Sequence, residues 1–258
     1  MDDFQIACQT ITWGPGQREI LPQVFAQVAA AGYAGVEIGF RHIGQTPASE
    51  IARLLRENGL CLVASHLGGN LFDAQQASEE RGILEEVMDY MAVTGTKLIM
   101  YSGLRYRSDD QLGRDIDTLN RGADLCAARG MRLLYHNHAF EFADGGRVIK
   151  GLLERGSKTL GFCPDIGWVH KGGADVIEFL EKTKSRVGAV HFKDFATMGS
   201  KTDTVILGRG IVPLAATASW LKANVQGLWV IAEQDSANVP PADAAAANAA
   251  YLKSLFFD

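Results

Sequence analysis

Eight short apolar runs alternate with longer amphipathic segments along the whole chain. Each run is rich in Val, Ile, Leu or aromatic residues and shows little polar alternation before its C-terminal end. That pattern is typical of parallel strands buried on both faces, because helices cover both sides of such a sheet. The runs are Phe4–Thr12, Gly35–Gly39, Cys61–His66, Lys97–Ser102, Met131–His138, Leu160–Asp165, Val187–Asp194 and Leu228–Glu233.

The segments between these runs carry apolar residues at helical spacing, as Leu21, Val24 and Val28 do in the first of them. Uninterrupted strand–helix alternation favours a single-domain (β/α)8 TIM barrel of the α/β class, spanning residues 1–258. The rival, a doubly wound sheet, usually has a glycine-rich phosphate loop after its first strand, and the sequence WGPG at 13–16 lacks that spacing. The predicted helices are Ile20–Ala31, Ser49–Asn58, Ala77–Thr94, Asp109–Arg129, Asp175–Lys184 and Ala242–Leu255.

The composition and charge argue against several classes of protein. With 25 basic and 30 acidic side chains the net charge is −5, whereas nucleic-acid-binding proteins usually carry a basic excess or a basic stripe. No apolar run approaches the roughly 18 residues of a membrane-spanning helix, and the acidic N-terminus does not resemble a secretory signal. Four cysteines without a CxxC pair are typical of reduced thiols. We therefore expect a cytoplasmic protein that binds neither nucleic acid nor membranes.

Polar side chains gather at the C-terminal ends of the predicted strands, where the chemistry of a (β/α)8 barrel is found. Five of the six histidines lie at or just beyond such an end: His66, His136, His138, His170 and His191. Carboxylates and one histidine from four strands are predicted to converge there, and this donor set suits one divalent metal ion, Mn²⁺, Mg²⁺ or Co²⁺. The predicted ligands are Glu141, Asp165, His191 and Glu233.

Five stretches of the chain carry a recognisable pattern: YAGVEI at 33–38, YHNHAFEF at 135–142, CPDIGW at 163–168, HFKDF at 191–195 and AE at 232–233. With this pattern the chain resembles the xylose isomerase-like TIM-barrel superfamily. It is most similar to the sugar phosphate isomerase/epimerase branch, which includes ketose 3-epimerases and inosose dehydratases. The resemblance covers essentially the whole chain. It implies a small-molecule carbohydrate substrate, flanked by metal-binding carboxylates of the fifth and eighth strands.

Two positions depart from the pattern of this superfamily. Many members carry the metal-binding glutamate of the fifth strand inside the strand, where this chain has Tyr135 or His136. Either Glu141 curls back as a ligand, or His136 or His138 takes that position. The second departure is Trp168, because epimerases of the superfamily often carry a histidine three residues after the aspartate. This difference weakens the case for ketose 3-epimerisation.

The resemblance and the predicted donor set imply chemistry at a carbon next to a carbonyl group. A divalent cation stabilises the enediolate that forms when the C–H proton leaves, and Glu141 and Glu233 are the predicted proton carriers. The favoured function is a metal-dependent isomerase or epimerase of a sugar or sugar phosphate. The alternative is a metal-dependent dehydratase, a lyase, of an inosose-like cyclic polyol ketone. Less favoured are a DNA enzyme of the endonuclease IV type and a sugar-binding barrel without catalysis.

Further residues are predicted to contact the substrate. Lys193 and His66 are placed to hydrogen-bond its oxygens, and Trp13 and Trp168 offer aromatic faces to a sugar ring. Arg209 lies between two glycines after the seventh strand, where barrels often bind phosphate, although a turn that needs glycine explains the motif equally well. The predicted substrate contacts are His66, His138, Trp168, Lys193, Arg209 and Trp13.

Other features receive a structural interpretation. Asp194 and Asp235 are interpreted as helix N-caps or ion-pair partners, because each precedes a predicted helix or loop. The alanine-rich last helix is interpreted either as a cover for the barrel or as the surface of a homo-oligomer.

Overall fold

A computed structural model describes residues 4–68, 77–199 and 203–257. The barrel strands are β1 (Gln5–Gln9), β2 (Gly35–Gly39), β3 (Cys61–Gly68), β4 (Leu98–Ser102), β5 (Arg132–His136), β6 (Gly161–Cys163), β7 (Ala189–Phe192) and β10 (Trp229–Ala232). They are parallel and pair in the order β6-β5-β4-β3-β2-β1-β10-β7. Two parallel bridges, Phe162 with Val187 and Asp165 with His191, join β6 to β7. The predicted (β/α)8 barrel is confirmed.

The helices surround this sheet, and the segment after β7 adds a short antiparallel pair, β8 (Asp194–Phe195) with β9 (Thr204–Val205). None of the helices in the described part of the chain has the length and apolar content needed to cross a membrane. The helices are α1 (Leu21–Ala31), α2 (Phe40–Ile43), α3 (Ala48–Glu57), α4 (Ala77–Thr94), α5 (Asp109–Ala128), α6 (Ala143–Arg155), α7 (Ile166–Lys171), α8 (Val176–Thr183), α9 (Leu214–Asn224) and α10 (Pro241–Phe256).

Helices α2, α6, α7 and α9 are additions to the helices delimited from the sequence. In α6 the φ angles of Asp144, Gly145 and Gly146 are 51°, 68° and 72°, so regular helical turns begin only after these residues. This left-handed start interrupts the helical spacing of apolar residues, which is the signal on which the sequence-based prediction depends.

Strands β1 and β5 are shorter than the apolar runs that predicted them. After β1, the side chain of Gln9 accepts a hydrogen bond from the Ile11 amide at 2.5 Å, and a 3₁₀ turn follows at Thr10–Trp13. After β5, the side chain of Asn137 exchanges two hydrogen bonds of 3.1 Å with the backbone of Asp165. In both places a side-chain amide takes over hydrogen bonding beyond the end of the strand and bends the chain.

The interior of the barrel is filled by a small apolar cluster: Ala7, Val63, Ala64, Met100, Leu134, Cys163, Ala189 and Ile231. Because side chains alternate along a strand, the residue two positions further on points to the same interior. On seven strands that position holds Gln9, His66, Ser102, His136, Asp165, His191 and Glu233. The barrel interior therefore changes from apolar to polar within one layer, at the C-terminal end of the strands.

Candidate metal centre and active site

Four side chains of this polar layer converge at the C-terminal mouth of the barrel. His136 ends β5, Asp165 follows β6, His191 lies on β7 and Glu233 directly follows β10. Their donor atoms all lie within 4.8 Å of one another, and all four residues are buried. This four-residue cluster is the candidate metal centre.

The distances inside the four-residue cluster show which atoms face its centre. His191 Nδ1 lies 2.5 Å from Glu233 Oε2 and 3.1 Å from His136 Nε2. His136 Nε2 is also 3.4 Å from Asp165 Oδ2 and 3.4 Å from Glu233 Oε2. Two imidazole nitrogens and two carboxylate oxygens therefore point at one shared volume.

The hydrogen bonding of Asp165 supports a metal ion in that volume. Its Oδ1 accepts the amide of Trp168 at 2.9 Å and caps the start of α7. Its Oδ2 faces the cluster and is buried without a hydrogen-bond partner among the residues that the structure describes. A buried carboxylate oxygen in this state is costly unless a cation or a donor meets it. The donor set of two imidazoles and two carboxylates therefore fits a divalent metal ion of hard or borderline character.

Lys193 lies beside the cluster, almost completely buried. Its Nζ is 3.0 Å from Asp235 Oδ2, 3.2 Å from Glu233 Oε1 and 3.6 Å from Asp165 Oδ2. Burial alone would lower the pKa of Lys193, but the charges of these carboxylates outweigh it and raise the pKa above its ordinary value. Lys193 therefore stays protonated and supplies a positive charge at the edge of the site.

Two of the three carboxylates beside Lys193, Glu233 and Asp235, respond differently to their surroundings. Burial favours the neutral form of Glu233, but the charges of Lys193 and His191 dominate and hold its pKa well below the ordinary value. Burial raises the pKa of Asp235; the charge of Lys193 opposes this effect and that of Glu233 adds to it, and the pKa is raised overall. Glu233 is therefore the carboxylate held in its ionised form.

Glu141, predicted from the sequence as a ligand and proton carrier, lies outside the four-residue cluster. Its Oε1 accepts the hydroxyl of Tyr135 at 2.8 Å, and its Oε2 accepts the amide of His138 at 2.8 Å. The Tyr135 oxygen in turn accepts the amide of Leu104 at 3.1 Å. Both oxygens of Glu141 are engaged in shaping the turn after β5, and His136 is the fifth-strand member of the four-residue cluster.

A cavity of about 250 Å³ opens in front of the cluster. His66, His138, Trp168, Glu233 and Asp235 are among the residues that line it. The predicted substrate contacts His66, His138 and Trp168 therefore reach the cavity. Lys193 is not among the described residues that line it, but it forms ion pairs with two that do, Glu233 and Asp235.

Neighbouring residues orient two histidines of this cavity, and one of them, His66, is held in its neutral form. His66 Nε2 lies 3.0 Å from the hydroxyl of Ser102. Burial, reinforced by the neighbouring His136, holds the pKa of His66 well below its ordinary value. The ring of His138 stacks on Phe140 with centroids 5.2 Å apart and a 12° interplanar angle. His66 and His138 are thus held by neighbours in fixed orientations.

Trp13 and Arg209 are not among the residues that line the cavity in the described part of the chain. Trp13 donates its indole N–H to Gln27 at 2.7 Å. Arg209 is exposed on a loop that wraps a buried carboxylate, Asp194. Asp194 accepts the amides of four residues at 2.8 to 3.1 Å: Phe195, Gly208, Gly210 and Val212. These four amides therefore already donate to the carboxylate of Asp194 and are not free to bind a phosphate group.

Among the residues that the structure brings to the site and that received no functional role from the sequence are two carboxylates, Glu37 and Asp235. Glu37 is buried in β2 and contacts His191, and Asp235 lines the cavity although its predicted role as an ion-pair partner also holds. A signal for Glu37 was present in the sequence, since it is the only charged residue in the run GVEIG. For Asp235 the signal was its spacing, two residues after Glu233 on the same face.

A family model described as a xylose isomerase-like TIM barrel matches residues 25–255. The chain belongs to this family. The inosose dehydratase of Geobacillus kaustophilus is 27% identical over 218 residues, which is 75% of this chain and 70% of the relative. The inosose dehydratase of Geobacillus thermodenitrificans is 26% identical over 189 residues, 67% of this chain and 62% of the relative. The matched segments thus span 70% and 62% of the length of these curated relatives.

Solved structures share the fold at low sequence identity. A sugar phosphate isomerase/epimerase from Parabacteroides distasonis has a TM-score of 0.80 at 21% identity, covering 97% of this chain and 94% of that chain. The IOLI protein, whose crystal structure has a bound zinc atom, has a TM-score of 0.80 at 15% identity, covering 99% and 100%. At these identities the likeness extends to the architecture of the barrel alone.

Proposed function

We propose that the protein is a metal-dependent dehydratase that removes water from a small polyhydroxylated ketone of the inosose type. One observation carries the proposal: among the glutamates of the described residues, Glu233 alone both belongs to the four-residue cluster and lines the cavity. Glu141, the second proton carrier that the resemblance implied, has both of its oxygens bonded elsewhere. The site therefore offers one glutamate base.

The proposed metal ligands are His136, Asp165, His191 and Glu233. Two imidazoles suit borderline cations such as Co²⁺ or Zn²⁺, and the two carboxylates also allow the harder Mn²⁺, whereas Mg²⁺ prefers an all-oxygen set. When bound, the cation supplies positive charge that stabilises the negative charge developing on a substrate oxygen.

The two oxygens of Glu233 have different surroundings. Oε2 faces the cluster, whereas Oε1 lies 3.2 Å from Lys193 Nζ at the edge of the cavity. Oε1 is the atom that takes the proton from the carbon next to the carbonyl. The electron pair of that C–H bond forms the new C=C bond, and the C–O bond of the neighbouring hydroxyl breaks. The hydroxyl leaves as water with the proton that Glu233 returns to it, so one carboxylate serves as base and then as acid.

A single base also limits the alternatives. Epimerisation must return the proton to the opposite face of the carbon, and the carboxylate expected on that face, Glu141, is turned away. Aldose–ketose isomerisation returns the proton to the adjacent carbon on the same face, so one carboxylate suffices. Isomerisation is therefore the second candidate, and the inosose dehydratases among the sequence relatives favour dehydration over it.

The size and lining of the cavity support a small carbohydrate as substrate. Its volume of about 250 Å³ lies below the ~300–1,000 Å³ of most ligand sites, so it suits one sugar-sized ring. His66 and His138 offer hydrogen bonds to hydroxyl groups, and Trp168 offers an aromatic edge or face. Since the loop amides around Arg209 already bind Asp194, a phosphate group on the substrate gains no support from them.

The test is incubation of the metal-loaded protein with inososes and with ketoses in deuterated water, followed by mass spectrometry. The expected product is lighter than an inosose by one water. A product of unchanged formula that carries deuterium would identify an isomerase and overturn the proposed dehydratase.

The matched variants are Glu233→Gln and Glu178→Gln, the second being an exposed glutamate on α8. Glu233→Gln is expected to lower turnover about 10²–10⁴-fold, the usual contribution of general acid–base catalysis, whereas Glu178→Gln keeps it. A chelator is expected to abolish turnover and added Mn²⁺ or Co²⁺ to restore it. Full turnover in Glu233→Gln refutes the assigned base.

A further inference from the structure

Glu37 is a carboxylate in an unusual place, the middle of β2 between Val36 and Ile38, and it is completely buried. The register of the sheet pairs it with Gln9 of β1 and Ala64 of β3. An ionised carboxylate in a barrel interior carries a large desolvation cost unless a partner compensates for it. The identity of that partner indicates what Glu37 does.

The partner of Glu37 lies across the barrel. Its Oε2 is 2.7 Å from His191 Nε2, and both side chains are 1% exposed. Strands β2 and β7 are not neighbours, because β1 and β10 separate them in the sheet. The contact therefore spans the barrel interior below the four-residue cluster.

The two nitrogens of His191 face opposite ways. Nδ1 faces Glu233 Oε2 and His136 Nε2 inside the cluster, while Nε2 faces Glu37. A neutral imidazole has one N–H, so a ring whose Nδ1 lone pair binds a cation carries its proton on Nε2. That N–H has an acceptor in place, since Oε2 of Glu37 lies at hydrogen-bonding distance.

We propose that Glu37 is a positioning residue of the metal centre, which accepts the Nε2–H of His191, fixes its tautomer and raises the affinity of Nδ1 for the cation. This inference rests on the metal centre of the proposed function. Carboxylates behind ligand histidines commonly have this effect on orientation and basicity. Glu37 acts through His191 and does not itself contact the substrate cavity.

The other ring of the cluster gives an internal comparison. His136 Nδ1 is buried with no hydrogen-bond partner in the described part of the chain. The carboxylate of Glu37 thus meets Nε2 of His191, whereas no carboxylate of the described residues hydrogen-bonds Nδ1 of His136. We therefore expect the affinity of the site for a metal ion to depend on Glu37, although Glu37 is not a member of the four-residue cluster.

The experiment measures the affinity of the metal-free protein for Co²⁺ and Zn²⁺ by competition with a chelating dye, for the wild type and three variants. Glu37→Gln keeps an oxygen acceptor but loses the charge, and Glu37→Met removes the acceptor at similar volume. Ser65→Ala is the matched control, because Ser65 is a buried residue of the adjacent strand whose hydroxyl donates to the Ile38 carbonyl at 2.9 Å, away from the cluster. Urea unfolding of each metal-free variant reports its folding separately.

The expected result is graded. Affinity should fall about 10-fold in Glu37→Gln and about 100-fold in Glu37→Met, the range usual for partners of ligand histidines, and stay within about twofold in Ser65→Ala. The visible absorption of bound Co²⁺ should keep a four-ligand pattern in Glu37→Gln. Wild-type affinity in Glu37→Met would overturn the inference and leave the metal centre intact. Failure of the wild type to bind either ion would overturn the metal centre itself, and the inference with it.

A measurement on the wild type keeps the test independent of variants that fold poorly. Nitrogen-15 NMR of the Zn²⁺-loaded protein is expected to show His191 with its proton on Nε2 and the metal on Nδ1. The opposite tautomer would contradict the proposed role of Glu37.

Discussion

Replacement of Lys193 by methionine should destabilise the metal-free protein far more than the metal-loaded one. The ammonium group of Lys193 is buried and lies within 3.0 to 3.6 Å of the carboxylates of Asp235, Glu233 and Asp165. At an effective dielectric constant of about 20, one such pair at 3.2 Å is worth about 5 kcal/mol before desolvation is counted. Removal of one partner from a buried ion pair typically costs about 3–5 kcal/mol.

A bound cation changes this balance, because it compensates the charges of Asp165 and Glu233. Asp235 is then the carboxylate that loses its partner, and its side chain is 31% exposed and solvated. The loss in the metal-loaded protein should therefore be smaller, about 1–2 kcal/mol. By linkage, a variant that is destabilised only when metal-free binds the cation more tightly.

Urea unfolding with a chelator, and again with saturating Mn²⁺ or Co²⁺, measures both free energies of unfolding. Lys182→Met is the matched control, since Lys182 pairs with Glu178 on the surface, where the two side chains are 55% and 63% exposed. That exposed pair should contribute no more than about 1 kcal/mol, with or without metal. An equal loss for Lys193→Met in both conditions, or a loss below about 1 kcal/mol without metal, would refute the reasoning.

Three further predictions concern residues around the site. Asp194→Ala should lower the free energy of unfolding by at least about 3 kcal/mol, because four amides lose their acceptor. Arg209→Ala, on the same loop, should change the free energy of unfolding by less than about 0.5 kcal/mol. Urea unfolding of both variants measures the two values. Tyr135→Phe should cost about 1–3 kcal/mol in the same assay, because it leaves one oxygen of Glu141 and the Leu104 amide unpaired. A thiol reagent at mild alkaline pH should modify Cys61 in the folded protein, because it is the exposed cysteine. Burial raises the pKa of Cys61 as well, so its reaction depends on its exposure. Burial raises the pKa of the three buried thiols to about 11 or 12, and these should react only on unfolding: Cys8, Cys126 and Cys163.

The sequence predicted the barrel because its signal is local and repeated. Parallel strands with both faces covered produce apolar runs, and every run that was singled out overlaps a barrel strand. The place of the site was also predictable, since polar residues at the ends of such runs meet at one mouth. Strand ends were less predictable: Gln9 and Asn137 end β1 and β5 through side-chain hydrogen bonds that reach Ile11 and Asp165.

His136, and not Glu141, belongs to the four-residue cluster, and this difference shows why the members of the cluster were harder to predict than its position. The choice depends on which residue of β5 faces the interior and on where the chain turns after His136. A carboxylate five residues later is equally compatible with a ligand and with a capping residue until its contacts are known. The capping role of Glu141 depends on Tyr135 and on the amide of His138, and neither contact has a signature in the sequence.

The alternation of side chains along each strand constrains which residues can reach the site, and residue types alone do not. Leu134, Cys163, Ala189 and Ile231 fill the interior of the barrel, and each is followed two residues later by a member of the four-residue cluster. The same step from Gly35 reaches Glu37, and a further step from His191 reaches Lys193. The members of the four-residue cluster, the carboxylate of Glu37 behind His191 and the buried ammonium group of Lys193 thus occupy inward positions of the strands that follow the apolar layer. A slip of one residue in any strand would turn its member of the set outward, so the register that packs the apolar layer also assembles the site.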